Sequence, residues 1–524
     1  MVNKNYWIKF ANIWNDYEKH PTVADVGTAL DTTMSGANTK SRKYKGYLKS
    51  KPELKLPPLL DRKKITKDGL VYIEHEVEIS KSQSIDETKS RYVITCAQYG
   101  ADVNEEYLES LKLYCDKNNA QLIIMPTRYG ASEDPIKPIL NEYMTYSGHF
   151  IGDHVELNTA AIVPTAVNPL TGMHIFSSNK SQIFAHPQVA METVGRSDTK
   201  LPKVMMTTGA VTYPLYGFNR ASEIAEIRHS FGAVVVEIKD GMFHYRQLIA
   251  DSDNSFNDFA GGEVLKYTPD GILKGSVDSL VCGDWHTGET CEKVGTATYT
   301  DIVPMLKPKN IIKHDFFNGH SVSHHDERND VVMIKKAECG MDCLKTELDL
   351  CSFELSQIKH KSNGANIYIV ASNHNDHLDQ YIAEKRYDKD YKNKMEAIKL
   401  LVQKIDTGKT AFELAMLERG HDDIIFLKRD EDFTRHGVKL DMHGDIGING
   451  ARGSAASFNR IGLKSVIGHV HSPSIKGECF AVGTSTRLRL GYTKGLTGWL
   501  NTHCVVYDNG QRQMINIING VWHG

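Results

Sequence analysis

Short clusters of metal-binding side chains follow apolar runs in the C-terminal half of this chain, and they constrain its fold more than any other feature. In chain order the clusters are Asp284-Trp285-His286, His314-Asp315, Asn373-His374, His443 and His469-Val470-His471. Four of them come directly after apolar or alternating runs at 279–282, 366–371, 438–442 and 465–467. Such runs are typical of strands, and loops at the edge of a rigid sheet are where functional residues concentrate. The pattern predicts an α/β fold whose functional loops meet at one sheet edge.

The clusters also supply a defined ligand chemistry. Their oxygen and nitrogen ligands are Asp284, His286, Asp315, Asn373, His443, His469 and His471. This set is enough for two divalent cations that share one carboxylate, and two cations about 3.5–4 Å apart are a recurring solution for displacement at phosphorus. Imidazole suits Mn, Fe and Zn, while carboxylate suits Mg and Mn. We therefore expect two divalent ions, with Mn first and Mg, Fe or Zn as alternatives. Any one cluster alone would be interpreted as coincidence or as surface histidines.

The order and spacing of the clusters resemble the calcineurin-like metallophosphoesterase superfamily. That family's pattern runs D-x-H, GD, GNH followed by an acidic residue, a lone H, and GHxH, and the first, fourth and fifth elements are present here unchanged. His314 stands where the family usually has Gly, Ser372 replaces another Gly, and the acidic residue Asp376 comes one position late. The resemblance covers the chain from about residue 277 onwards. It implies a four-layer α/β sandwich for 271–524.

The resemblance also implies roles for the site residues. One metal would be held by Asp284, His286 and His471, and the other by Asn373, His443 and His469. Asp315 would bridge the two metals. A metal-bound hydroxide would then attack phosphorus, and His374 would protonate the leaving oxygen, a task that suits imidazole because its pKa lies near working pH.

Two further stretches are candidates for substrate binding. The histidine-rich stretch 314–326 contains His320 and His324, either of which could face a substrate phosphate; a polar loop over the site is the alternative. The glycine-rich stretch 444–454 contains Arg452, which could bind phosphate with two nitrogens. A plain turn with a surface arginine is the alternative there.

The N-terminal half predicts three further regions. Residues 1–50 resemble a helix-turn-helix, with an apolar helix at 22–30, a turn, and a polar basic helix whose Lys40, Arg42 and Lys43 would contact DNA; an ordinary helical hairpin is the alternative. Residues 51–90 are predicted to be a linker. Residues 91–270 read as an α/β accessory domain without a catalytic set, with a helix at 104–118 and strands at 92–96, 121–125, 160–163, 204–207 and 233–238.

Composition limits the partners and the location. The chain has 524 residues, which argues for two or three domains, and its formal net charge of −3 gives no global field toward nucleic acid, so DNA would be bound by local patches. Nine cysteines without a CxxC pair fit a reducing cytoplasm, the host's if the protein is phage-encoded. The sequence contains no run of eighteen apolar residues and no signal peptide, so no membrane partner is expected. A homo-oligomer is possible.

These features favour a dimetal deoxyribonuclease, by analogy with the repair-type and phage-encoded DNA-degrading branches of the superfamily. The alternative is a phosphatase or phosphodiesterase that acts on nucleotides or phosphoproteins, because the same metal site serves both. A DNA-binding regulator with a vestigial phosphoesterase domain is a third hypothesis, against which the intact ligand set argues.

Overall fold

The chain forms two compact units, Met1–Ser82 and Gln83–Gly524. The structure is a computed structural model, and it describes residues 4–16, 19–20, 23–32, 34–50, 55–59, 82–130, 134–177, 179–197, 201–429, 431–491 and 493–524. Of the predicted linker at 51–90, residues 51–54 and 60–81 lie outside the described residues. No described helix is long and apolar enough to cross a membrane.

The first unit is helical. It contains α1 (Lys4–Asn15), α2 (Val23–Ala29) and α3 (Met34–Ser50). Its core is aromatic, because Trp7, Phe10 and Tyr44 are buried together. Arg42 and Lys43 are exposed beside Tyr44 on α3, and Lys40 is half-buried. The two helices lie where the sequence predicts a core helix and a basic helix.

The first part of the second unit is built mainly from strands. The strands are β1 (Arg91–Gln98), β2 (Gln121–Thr127), β3 (His149–Ile151), β4 (Val155–Asn158), β5 (Ser181–Phe184), β6 (Ala190–Thr193), β7 (Val204–Thr207), β8 (Gly232–Lys239), β9 (Met242–Ile249), β10 (Phe256–Asp258), β11 (Leu265–Thr268) and β12 (Gly271–Lys274). The helices are α4 (Glu105–Lys117) and α5 (Arg220–Arg228). The strand predicted at 160–163 is wrong: those residues pair with no strand, and Val163 is exposed.

The second part of this unit alternates strands and helices. The strands are β13 (Val277–Val281), β14 (Asn310–Lys313), β15 (Asn366–Val370), β16 (Ile425–Leu427), β17 (Thr434–Arg435), β18 (Val438–Lys439), β19 (Lys464–Ile467), β20 (Ser474–Lys476), β21 (Cys479–Ala481), β22 (Thr502–Tyr507) and β23 (Arg512–Asn516). The helices are α6 (Glu292–Thr296), α7 (Val303–Leu306), α8 (Asp330–Glu338), α9 (Leu344–Lys361), α10 (Asp376–Ala383), α11 (Lys394–Thr407), α12 (Ala411–Leu417) and α13 (Ala455–Phe458).

Two large sheets organise the second unit. One has the order β16-β15-β14-β13-β22-β23, and its first four strands are parallel. The other has the order β17-β18-β19-β21-β20-β6-β7-β5-β4-β3. Smaller sheets have the orders β2-β1-β8-β9 and β10-β11-β12. The described residues are therefore mixed α/β with several sheets.

The ten-stranded sheet joins parts of the chain that the sequence assigns to different domains. Strand β6 pairs antiparallel with β20, so that Met191 lies opposite Ile475. The strands before residue 270 thus extend the same sheet that carries the later clusters. The expected boundary between 91–270 and 271–524 falls inside one compact unit. The pairing of β6 with β20 is non-local, so it leaves no signal in the sequence near residue 270.

The two large sheets share a core. Val281 and Ile312 from the six-stranded sheet lie in one buried cluster with Val466 and Phe480 from the ten-stranded sheet. Because side chains alternate along strands, the neighbouring residues face outward and are covered by helices. On one side Leu280 packs in a cluster with residues of α9, α10 and α12, and on the other side the short helix α13 packs on β19 and β21. Both faces of each sheet are packed, and this packing holds the loops at the sheet edges in place.

Candidate metal centre

The seven candidate ligands follow strands of the two facing sheets. Asp284 and His286 follow β13, Asp315 follows β14, and Asn373 follows β15. Because β13, β14 and β15 are parallel, these carboxyl ends lie at the same edge. The remaining three candidate ligands, His443, His469 and His471, follow the parallel strands β18 and β19 of the other sheet.

Four side chains form the first ligand group. His471 Nε2 lies 3.0 Å from Asp284 Oδ2 and 3.1 Å from His286 Nε2. His286 Nε2 is also 3.6 Å from Asp315 Oδ2. All four residues are buried, and their ligand atoms lie within 4.8 Å of one another. Carboxylate oxygens and imidazole nitrogens that converge in this way fit a divalent cation.

A second group shares a residue with the first. Asp315, His443 and His469 also place ligand atoms within 4.8 Å of one another, and His443 Nε2 lies 3.1 Å from Asp315 Oδ2. The rings of His443 and His469 have centroids 5.3 Å apart. Asp315 therefore belongs to both groups, which is the position that a shared carboxylate would occupy.

Buried oxygens of three candidate ligands lack hydrogen-bond partners within the described part of the chain. Asp284 Oδ1 and Asp315 Oδ1 are such atoms within the two groups, and Asn373 Oδ1 is another, on the loop after β15. Buried polar atoms are nearly always paired, because an unpaired one costs its full desolvation free energy. Cations bound at the two groups would satisfy the Asp284 and Asp315 oxygens, so the residues present fit metal binding.

The backbone at the ligand positions is strained. His286, Asp315, His469 and His471 have φ angles of 47°, 44°, 72° and 52°. Residues other than glycine rarely adopt this left-handed conformation, and it persists only where the surrounding structure imposes it. Four of the seven candidate ligands thus carry a feature that concentrates at functional sites.

The carboxylate of Asp315 and the imidazole of His443 carry opposite charges, whereas the imidazole of His286 is neutral. Burial lowers the pKa of His286 to about 3, with His374 contributing, so this ring is neutral as a ligand requires. Burial alone would raise the pKa of Asp315, but His443 and other imidazoles hold it well below its usual range. Burial opposes charge on His443 as well, yet Asp315 and Asp284 raise its pKa to about 9. Asp315 is therefore anionic at neutral pH.

His314, which stands where the resembled pattern has glycine, contacts the candidate ligand His443. It is fully buried, and its Nδ1 lies 3.3 Å from His443 Nδ1. Gly468 makes room for this ring, because a Cβ at Gly468 would lie 2.3 Å from Asp284 Oδ1 and 2.9 Å from His314 Cγ. The His314 ring thus occupies space beside the site and fixes one face of His443.

Asn318 orients two imidazoles, and it was not predicted, because its only signal was its place in the histidine-rich stretch. Its side-chain oxygen lies 3.1 Å from His286 Nδ1, and its backbone oxygen lies 2.8 Å from His374 Nδ1. The His374 and His286 rings have centroids 4.4 Å apart, so His374 lies directly beside the ligand groups.

The displaced acidic residue has a different partner. Asp376 Oδ2 accepts hydrogen bonds from Arg429 Nε at 3.0 Å and from Arg429 Nη2 at 2.6 Å. Arg429 also binds Asp445 at 3.0 and 2.8 Å. Asp376 therefore connects the loop after β15 to the loop that carries His443.

The other predicted residues lie apart from this cluster or have their own partners. His320 Nε2 is 3.1 Å from Glu289 Oε1, so its imidazole is engaged by a carboxylate. Arg452 is exposed on a tight turn, where it forms an isolated antiparallel β-bridge with Ile446. Lys40, Arg42 and Lys43 lie on α3, in the first unit.

Comparisons with known proteins give one substantial sequence match. No family model matches the chain. The chain is 28% identical over 469 residues to Protein A1 of Escherichia phage T5, covering 82% of each protein. In structure it is similar to Vps29 of Chaetomium thermophilum, with 7% identity, 31% of this chain and 93% of that chain covered, and a TM-score of 0.21. A complex of the same Vps29 with a cyclic peptide matches at 12% identity and a TM-score of 0.20, over 34% of this chain and 99% of that chain.

Proposed function

We propose that this protein is a two-metal phosphoesterase that hydrolyses phosphodiester bonds in DNA. The observation that carries the proposal is that Asp315 belongs to both ligand groups, with a carboxylate oxygen within 4.8 Å of the ligand atoms of each. A carboxylate shared by two groups of imidazoles is the arrangement that a pair of closely spaced cations requires. The His-rich composition favours Mn over Mg at this site.

Each ligand has a role in this proposal. Asp284, His286 and His471 would hold one cation, and Asn373, His443 and His469 would hold the other. Asp315 would contact both, and its negative charge would reduce the repulsion between them. When bound, such a metal pair lowers the pKa of a coordinated water and offsets charge that develops at phosphorus.

His374 is the proposed general acid. Its Nδ1 faces the Asn318 carbonyl oxygen, which accepts hydrogen bonds and cannot donate them. Nδ1 therefore carries a proton, and Nε2 is the nitrogen that remains to donate a proton to the leaving oxygen. Because the His374 ring lies beside the ligand His286, this donor is close to where the substrate phosphorus would bind.

Local positive charge supports DNA as the substrate. Arg42 and Lys43 are exposed on α3, and no described residue forms an ion pair with either. Arg452, on the turn after His443, is likewise exposed. Such side chains supply the sequence-independent, salt-dependent part of DNA binding, and they are needed because the net charge of −3 provides no overall attraction.

The test measures the activity of the purified protein on several substrates and with several metals. After exhaustive chelation, the protein is assayed with added Mn, Mg or Zn on linear DNA, circular DNA, mononucleotides and p-nitrophenyl esters, with Asp315→Asn as the control for contaminating nucleases. We expect activity on DNA that is lost on chelation and restored best by Mn. Activity confined to mononucleotides would favour the phosphatase alternative, and full activity after chelation would contradict a metal mechanism.

A further inference from the structure

A row of four imidazoles leads outward from the proposed metal centre. His374 has its ring centroid 5.1 Å from that of His377, which lies 5.7 Å from His324 and 5.9 Å from His325. The His324 and His325 rings are themselves 3.9 Å apart. We call these four residues the histidine row. The metal-binding assignments use none of them, and general acid catalysis uses only His374.

The row begins inside the protein and ends at its surface. His377, on the first turn of α10, is 5% exposed, whereas His324 and His325 are exposed. At the inner end, His374 lies 4.4 Å from His286. A substrate chain bound at the metal centre would therefore pass over the row on its way to solvent, on the side where His374 protonates the leaving oxygen.

The loop that carries His324 and His325 is held in place. Arg386 Nη1 donates to Val322 O at 2.8 Å, and Lys336 Nζ donates to His320 O at 2.7 Å. At Gly319 the loop approaches α10 so closely that a Cβ there would lie 3.0 Å from His377 Cδ2. The imidazoles are thus pre-positioned, which reduces the entropy cost of binding a ligand.

One buried nitrogen of the row lacks a hydrogen-bond partner. His377 Nδ1 is buried and has no hydrogen-bond partner among the described residues. The neighbouring acidic residue, Asp326, is occupied by Lys336 Nζ at 2.6 Å. Burial, with the adjacent His374, His324 and His325, lowers the pKa of His377 to about 3, although Asp315 acts in the opposite direction.

A phosphate fits this environment better than a metal ion does. Phosphate oxygens accept hydrogen bonds from imidazole N–H groups, and the buried Nδ1 of His377 has no partner among the described residues. Metal binding would require several nitrogens to converge, and the row is absent from the described groups whose ligand atoms lie within 4.8 Å of one another. The chemistry therefore favours an anion.

We propose that His377, His324 and His325 bind the phosphate that follows the scissile phosphate on the leaving-group side of a polynucleotide. This inference rests on the proposed function, since the position of His374 defines the leaving-group side. The site selects substrates whose leaving group carries its own phosphate, and it disfavours esters whose leaving group is a bare nucleoside.

The experiment uses two DNA esters with the same scissile bond. In one the leaving group is a nucleoside, and in the other it is a nucleotide that carries one further phosphate. The double variant His324→Ala/His325→Ala removes only exposed rings, and His360→Ala, an exposed histidine on α9, is the matched control. We expect the double variant to lose about tenfold more kcat/KM on the second ester than on the first, and the control to lose nothing on either.

Four results would overturn the inference. Equal losses on the two esters would mean that the rings act on the site as a whole. A loss of bound metal in the double variant, measured by elemental analysis, would identify a metal site. Normal kcat/KM of the double variant on both esters would remove the phosphate site while leaving the proposed function intact. A wild-type protein that hydrolyses neither ester would remove both the phosphate site and the proposed function.

Discussion

The backbone oxygen of Asn318 lies 2.8 Å from His374 Nδ1, so a main-chain group orients the imidazole that we propose as general acid. Asp376, the acidic residue that comes one position later than in the family pattern, binds Arg429 at 2.6 Å. A carbonyl can only accept, and it therefore fixes the His374 tautomer as a carboxylate would, but without a negative charge. The Asn318 side-chain oxygen accepts a hydrogen bond from His286 Nδ1 at 3.1 Å, which couples the positions of the two rings.

Replacement of His374 separates proton donation from binding. We expect His374→Ala to slow hydrolysis of DNA by about 10²–10⁴-fold, because an alkoxide leaving group needs a proton. On bis(p-nitrophenyl) phosphate the loss should be much smaller, since that leaving group is stable as an anion. Steady-state rates on both substrates, with metal content measured in the same preparation, test this expectation. Equal losses would show that His374 acts by positioning, and lost metal would show that it is structural.

Asp315 should matter to both cations. Asp315→Ala removes a ligand from each group, so we expect bound metal to fall at both sites and activity to disappear. His443→Ala removes a ligand from one group and should leave the other cation in place. Elemental analysis of the two variants after dialysis against Mn gives the comparison. If Asp315→Ala retains two cations per chain, Asp315 is not the bridge.

How much of this could be predicted from sequence depends on the range of the interactions. The strands at 279–282 and 465–467 were predictable because alternation and apolar runs are local signals, and the structure confirms β13 and β19 there. The pairing of Met191 with Ile475 was not, because it joins residues far apart in the chain. Asn318 was missed for a related reason: a backbone carbonyl acts through its position, and any residue type could supply it.

The ion pairs of Arg429 should position the two loops that they connect. Arg429 binds Asp376 after β15 and Asp445 after β18, and it is not a ligand itself. We expect Arg429→Leu to keep its metals and to lower kcat about 10- to 100-fold, as small displacements of catalytic groups do. Arg460→Leu, at an exposed arginine, is the control. A variant with normal kcat would show that other contacts hold the loops.

Gly468 should tolerate no side chain. In Gly468→Ala the new Cβ would lie 2.3 Å from Asp284 Oδ1 and 2.9 Å from His314 Cγ. We expect loss of metal and a stability loss of about 1–3 kcal/mol, as overpacking typically costs. Gly491→Ala is the matched control, because nothing lies within 4 Å of a Cβ there. Calorimetry and metal analysis of both variants check the prediction, and equal behaviour of the two would refute it.

The basic face of α3 should contribute to DNA affinity and not to bond cleavage. Arg42 and Lys43 are exposed and lie outside the core of the first unit. The adjacent Tyr44, in contrast, packs against Trp7 and Phe10. The double variant Arg42→Gln/Lys43→Gln therefore removes two charges and leaves the core of the first unit intact. Lys9→Gln, at an exposed lysine on α1, removes a charge from another helix of the same unit and serves as the control.

Each lost phosphate contact lowers the salt dependence of binding by a known amount. We expect the double variant to bind long duplex DNA more weakly, with a slope of log K against log salt that is shallower by about 2. Hydrolysis of a small phosphodiester should be unchanged, because the ligand groups lie in the second unit. Titrations at several salt concentrations, alongside turnover of bis(p-nitrophenyl) phosphate, measure both quantities. If affinity and slope match those of Lys9→Gln, the helices of the first unit form an ordinary hairpin and DNA is bound elsewhere.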